Sequence, residues 1–190
     1  MQRLSLPYHQ AIVLMLAILV PFISGCGDNA SGPDFSTVPS PYDTSQAVKT
    51  VTTPGGMVVH IIEEGDGAFQ VVSRDIIDLF YTGRSLDDQR VFDSSYANGS
   101  EEPRTFRNLT PVSVASGNQP ISPLIEGFRK GITGVTVDGE TLLEGMREGE
   151  RRTLIIPPSM GYAGAPEGNS GYNLRNDTLR FDIKLSQIYY

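Results

Sequence analysis

Tryptophan is absent from this chain of 190 residues, cysteine occurs once and histidine twice. A single cysteine excludes any disulfide within the chain. No Cys-x-x-Cys pair, no paired histidines and no glycine loop suited to cradling a phosphate occur, so the residues suggest neither a metal nor a cofactor. Basic residues are scarce as well: Lys and Arg number 15 against 22 Asp and Glu, a formal net charge of −7. Nucleic acid rewards clustered basic residues, so it is not expected as a partner. His60, inside Val58-Val59-His60-Ile61-Ile62, reads as a strand residue rather than a ligand or base.

Long apolar runs are also few. Ala11-Ile12-Val13-Leu14-Met15-Leu16-Ala17-Ile18-Leu19-Val20 is uninterrupted but holds 10 residues, where a membrane-spanning helix needs about 20. With Arg3 and the amino terminus ahead of it, the run reads as an export leader. It ends at Ile23-Ser24-Gly25-Cys26, which resembles the bacterial lipobox, where the cysteine is acylated and becomes the new amino terminus. The expectation is a lipoprotein signal peptide over residues 1–25, lipidation at Cys26, and a place in the bacterial cell envelope, lipid-anchored on the periplasmic or extracytoplasmic face of a membrane. An ordinary secretory leader or a short anchor helix is the alternative. One acyl chain holds a membrane only marginally and two hold it durably; the resemblance implies a diacylglyceryl thioether at Cys26. Without the leader the chain keeps 14 basic against 22 acidic residues, a formal charge of −8.

Residues 27–50 are rich in Gly, Pro, Ser, Asp and Thr, with too few apolar groups to offset the entropy of ordering them. With Cys26 they are read as a lipidated cysteine and flexible tether over 26–50, of root-mean-square reach about 25–30 Å. Residues 51–190 are then one folded domain. From Met57 the apolar period is mostly two. Ile77, Leu79 and Tyr81 share one face of a strand; Leu179, Phe181, Ile183 and Leu185 share one face of another, with Arg180, Asp182, Lys184 and Ser186 on its wet side. Leu154-Ile155-Ile156 is a third strand, ended by Pro157-Pro158, which cannot donate to a ladder. One region has helical spacing: Leu124, Ile125, Phe128 and Ile132, with Ser122 as N-cap and Pro123 at the first helical position.

Several blocks lie in an order that identifies a family. They are Glu63-Glu64-Gly65-Asp66-Gly67, Phe80-Tyr81-Thr82-Gly83, Val91-Phe92-Asp93-Ser94-Ser95, Leu124-Ile125-Glu126-Gly127-Phe128, Gly149-Glu150-Arg151-Arg152-Thr153 running on through Pro158 to Gly161-Tyr162, and Thr178-Leu179-Arg180-Phe181-Asp182-Ile183. Over residues 55–188 the chain resembles the FKBP-type peptidyl-prolyl cis/trans isomerases. The resemblance implies an α+β fold, a strongly bent antiparallel sheet (a half-barrel) wrapped around one short α-helix. It also implies isomerisation of X-Pro bonds, here in exported or envelope proteins, with proline-containing polypeptides as substrates and macrolides of the FK506 type as further ligands. Carried over residue by residue, Tyr81, Asp93 and Tyr162 take the catalytic roles, and Phe92, Leu124, Ile125, Phe128 and Phe181 line the substrate pocket. Phe128 stands where the family usually has a tryptophan floor, and the Ile125 N–H and Tyr162 hydroxyl hold substrate carbonyls.

Three places depart from the family pattern. Val112 stands for an aromatic wall residue; Gly171-Tyr172-Asn173-Leu174-Arg175-Asn176 lacks two prolines, leaving Tyr172 or Leu174 as candidate caps; and insertions fall at 118–121 and near 132–145. At the second insertion the family's connection is matched twice, 11 residues apart, about three helical turns, but its glycines point to a surface excursion rather than a longer helix. Taken singly, each aromatic also suits a closed core, and an FKBP-like module or chaperone that binds proline segments without turnover is the other functional reading.

Overall fold

A computed structural model describes residues 32–110 and 124–190. Residues 1–31, Val112, the insertion at 118–121 and the Ser122-Pro123 helix start lie outside the described residues, and with them the leader and Cys26. The described chain runs β1 (Lys49–Thr52), β2 (Val58–Glu63), β3 (Ile76–Ser85), β4 (Val91–Ser94), β5 (Arg104–Phe106), α1 (Glu126–Thr133), β6 (Val135–Val137), β7 (Glu140–Leu143), β8 (Arg151–Ile156) and β9 (Leu179–Tyr189). The main sheet has the order β1-β2-β8-β9-β3-β4, all antiparallel, and β5 shares the β4 edge of β3. It does not close into a barrel. Register shifts at Ile61/Glu63, Asp78/Leu79 and Gly83/Arg84 mark bulges that bend the sheet around α1.

The inner face is the one that period-two reading marks. Ile77, Leu79, Tyr81, Leu154, Ile156, Leu179, Phe181, Ile183 and Leu185 are all buried there. The helix rests on β8 through two glycines one turn apart: a Cβ at Gly127 would lie 2.4 Å from Ile156 Cγ2, and one at Gly131 2.4 Å from Leu154 Cδ1. Glycine costs a helix interior about 1 kcal/mol each, and here the cost is offset by the close approach that buries Phe128 and Ile132. Arg152 lies on the same face, 1 % exposed, and its guanidinium donates to Glu150 Oε1 (2.6 Å), Gly131 O (2.8 Å) and Glu144 O (2.9 Å). That one side chain ties β8 to the helix and to the segment after β7.

Three expectations are corrected. The helix begins at Glu126 with Ile125 as its N-cap, so Leu124 and Ile125 precede it rather than form its first turn. The excursion after α1 is, as expected, not a longer helix: it is a hairpin, β6 paired with β7 with a register shift at Val135/Thr136, around Asp138 (φ 50°) and Gly139 (φ 85°); Asp-Gly is the residue pair such a turn demands. The wet face of β9 is not wet throughout: Asp182 is 5 % exposed, accepting from Arg84, Arg180 and Thr153.

The third correction explains the second. Residues 34–48, assigned to the tether, lie across the outer face of the sheet before β1. Asp34 and Asn98 exchange bonds (Asp34 N–H to Asn98 Oδ1, 2.9 Å; Asn98 N–H to Asp34 O, 2.7 Å). Arg84 donates to Pro39 O and Arg180 to Tyr42 O, both at 2.5 Å. A polar segment docks here because the charges beneath it supply hydrogen bonds to its backbone, which composition does not reveal.

Candidate functional site

Tyr81 is where the site is built. Its backbone N–H donates to Ser95 Oγ (3.0 Å), and its carbonyl accepts from Ser95 N–H (3.0 Å) and Ser94 Oγ (3.0 Å). The serines of the Phe92-Asp93-Ser94-Ser95 block therefore hold β4 against β3. This pairing brings the Tyr81 hydroxyl to Asp93 Oδ2, to which it donates at 2.8 Å. Arg104, on β5 opposite Leu79, donates to the same hydroxyl and lies 3.4 Å from Asp93 Oδ1. Burial, with the Asp93 carboxylate second, pushes the Tyr81 phenol well above the usual tyrosine range, so it stays a proton donor. The bond to Tyr81 in turn holds the Arg104 guanidinium above its ordinary value.

Aromatic rings continue from this polar edge. Phe128, 3 % exposed, has ring centroids of Phe181 at 4.8 Å, Tyr81 at 5.7 Å and Phe106 at 5.8 Å. Such edge and tilted contacts add about 0.5–1.5 kcal/mol per pair beyond area burial. Gly83 lets Phe181 and Phe92 meet over β3, since a Cβ there would lie 2.7 Å and 2.8 Å from their rings. Between these elements lies a cleft of about 540 Å³ whose walls include Tyr81, Asp93, Arg104, Phe106, Leu124, Ile125, Phe128, Tyr162 and Phe181. Burial raises the Tyr162 phenol too, with Asp93 adding to the effect, so a second protonated hydroxyl faces the cleft.

Of the residues expected at the site, Tyr81, Asp93, Leu124, Ile125, Phe128, Tyr162 and Phe181 come together on this cleft. Phe92 does not line it. Its ring stands behind Phe181 (5.5 Å) and Tyr162 (6.4 Å) and buttresses both. The cap residues are corrected as well: Leu174 is turned into the core, the Arg175 guanidinium sits over the Tyr172 ring at 3.9 Å, and it is Ser170 that reaches the rim. Arg104 and Phe106 were missed. The short alternation Arg104-Thr105-Phe106 is the signal that places both on one face, but nothing local says that this face is the cleft. His60 is a strand residue, its Nδ1 3.0 Å from Thr50 Oγ1 on the neighbouring strand.

An open, bent antiparallel sheet around one helix, with an aromatic cleft edged by a Tyr–Asp–Arg cluster, defines an α+β domain whose cleft is apolar with a few polar groups at its edge. Residues 67–186 match the family model for the FKBP-type peptidyl-prolyl cis-trans isomerase, and the chain belongs to that family. It is 28% identical over 135 residues to the FK506-binding protein of Neisseria meningitidis, covering 71% of this chain and 98% of that one. It is 32% identical over 114 residues to FK506-binding protein 2 of Candida glabrata, covering 60% of this chain and 65% of that protein. To the Mip peptidyl-prolyl cis-trans isomerase of Chlamydia muridarum it is 30% identical over 132 residues, which is 70% of this chain and 41% of that one. Among solved structures, AtFKBP13 superposes with a TM-score of 0.53 at 27% identity, covering 74% of this chain and 99% of its own. FkpA from Escherichia coli does so with a TM-score of 0.50 at 27% identity, over 76% and 53%.

Proposed function

We propose that this chain catalyses cis/trans isomerisation of X-Pro bonds in exported or envelope proteins. The observation that carries the reading is the cleft itself, with its floor of Phe128 and Phe181 and an edge where Tyr81, Asp93 and Arg104 are bonded together. Amide rotation faces a barrier of about 18–20 kcal/mol set by resonance. In the twisted amide resonance is lost and the carbonyl carries less charge, so a water-poor aromatic cavity favours it over the planar ground state. No proton transfer, metal or nucleophile enters such a step.

The polar groups orient. Tyr162 O–H and the Ile125 N–H, the N-cap amide that a helix leaves without an internal partner, hold the carbonyls flanking the proline. Asp93 fixes the Tyr81 ring as a wall and, with Arg104, keeps that edge polar. Macrolides of the FK506 type would enter the same cleft. Uncatalysed exchange takes tens to hundreds of seconds, so protease-free relaxation of X-Pro tetrapeptides, measured with the chain from Gly27 onward, tests the proposal over a slow background. Acceleration across several residues before proline is expected. A folded chain that binds such peptides and leaves the relaxation unchanged leaves the proline-segment binding module instead.

The cellular setting belongs to the proposal. Lipidation at Cys26 would place this activity at an envelope membrane, and Cys26→Ser should then abolish incorporation of labelled fatty acid; membrane retention and processing that do not change in the variant refute it. Residues 34–48, part of the stretch 27–50 read as a tether, are instead bonded to the sheet.

A further inference from the structure

Strand β3 has two working faces. Tyr81 points into the cleft, while Phe80, Thr82 and Arg84 point the other way, beneath residues 34–48. Between that strap and the sheet is a cavity of about 420 Å³. Phe80 and Tyr96 are stacked at 5.5 Å in its wall, and Lys184, which has no ion-pair partner among the described residues, lines it too.

The strap is held in a particular manner. Pro39 and Pro41 fix φ near −65° and impose extended conformations on Val38 and Ser40 before them. Arg84 and Arg180 bond the carbonyls of Pro39 and Tyr42, three residues apart, the repeat of a polyproline II helix. Both bonds go to backbone, so any extended segment could satisfy them. The side-chain contacts include the Tyr42 ring, with the Arg151 guanidinium 5.9 Å from its centroid, and Thr37 Oγ1, which donates to Tyr96 O at 3.5 Å. Pro39, Ser40 and Pro41 are exposed, and Ser40 leaves the cavity beside it unfilled.

We propose that this outer face is a second polypeptide-binding groove, for extended proline-containing segments that carry an aromatic side chain, and that the strap occupies it in cis as a displaceable ligand. The guanidiniums of Arg84 and Arg180 read the backbone. The ring of the incoming segment takes the place of Ser40 and enters the cavity beside Phe80 and Tyr96, which the strap lines with Pro39, Ser40 and Tyr42 without filling it. A client held there lies one strand's thickness from the cleft, and binding at both faces raises its effective concentration.

The test uses the full chain in detergent micelles and a fluorescein-labelled peptide of residues 37–44 in which Ser40 is replaced by Phe. In the wild type the strap competes intramolecularly, at millimolar effective concentration. Tyr42→Ala and, separately, Asn98→Gly each loosen the strap at a separate point, and each should tighten peptide binding about ten-fold. Adding Tyr96→Ala to either should cancel the gain, whereas adding Tyr162→Ala, a change in the cleft, should not. Equal affinity in the wild type and both released variants overturns the proposal. So does a gain that is lost with Tyr162→Ala and kept with Tyr96→Ala, which would put the peptide in the cleft. Near-ultraviolet circular dichroism of each variant separates lost binding from lost folding, and because the two substitutions act at separate points of the strap, either alone decides the outcome.

Discussion

Replacing Phe128 by tryptophan tests whether the floor of the cleft is a floor or closed core. Three sides of the ring are taken, by Tyr81, Phe106 and Phe181 at 5.7, 5.8 and 4.8 Å, and the fourth faces the 540 Å³ cleft. An indole forced into a closed core costs about 1–3 kcal/mol. For a domain of this size each kcal/mol moves the melting temperature about 2–4 °C, so a closed site predicts a loss of roughly 2–12 °C. Here the extra ring can extend into the cleft, and a loss under about 3 °C is expected. Phe128→Ala, in contrast, removes all three ring contacts and should cost about 3–5 kcal/mol. The chain has no other tryptophan, so the variant's indole emission reports the cleft alone and should shift when an X-Pro peptide binds. A melting temperature lowered by more than about 8 °C, with emission indifferent to peptide, would show that Phe128 is core and refute the placement of the substrate above it.

Tyr81→Phe keeps the ring and removes the hydroxyl shared by Asp93 and Arg104; chemical denaturation should show a loss of about 0.5–1.5 kcal/mol, and isomerisation should fall several-fold if the polar edge orients the substrate. Arg152→Ala strips Glu150, Gly131 O and Glu144 O of their buried donor and should cost about 3–5 kcal/mol, part of which Glu150→Gln in the same chain should restore. Alkaline titration of stability should show the buried tyrosines. Burial raises Tyr42 to about 12 and also raises Tyr81 and Tyr162, so the unfolded chain ionises first, near pH 10. Their stabilisation is intact below pH 10, declines above it and for Tyr42 is gone beyond pH 12; Tyr42→Phe should flatten that decline, and an unchanged slope would contradict the burial of its hydroxyl.

Much of this molecule is written in short-range pattern. Alternation in β3 and β9 marks which side chains turn inward, because a strand's two faces are set by its own pleat and only one of them meets the core. Pro157-Pro158 ends β8 for the equally local reason that proline has no N–H to donate. The ordered blocks place Tyr81, Asp93, Ile125, Phe128, Tyr162 and Phe181 on one cleft, which the fold brings together. Asp138-Gly139, preceded by Thr136-Val137, is an equally local hairpin signal.

Other features required the fold in three dimensions. Arg104 reaches Tyr81 only because β5 pairs with the first half of β3 while β4 pairs with the second, two long-range pairings along one edge. Asp182 reads as a solvent-facing residue on its own strand and becomes buried because residues 34–48 return across the outer face. Those residues look like a tether, having few apolar groups, and they dock because Arg84 and Arg180, 45 and 138 positions away from the carbonyls they hold, meet their backbone. Periodicity tells a segment which of its faces is apolar; what covers the other face is decided by whichever distant segment can satisfy the polar groups there, and that exists only once the chain has folded.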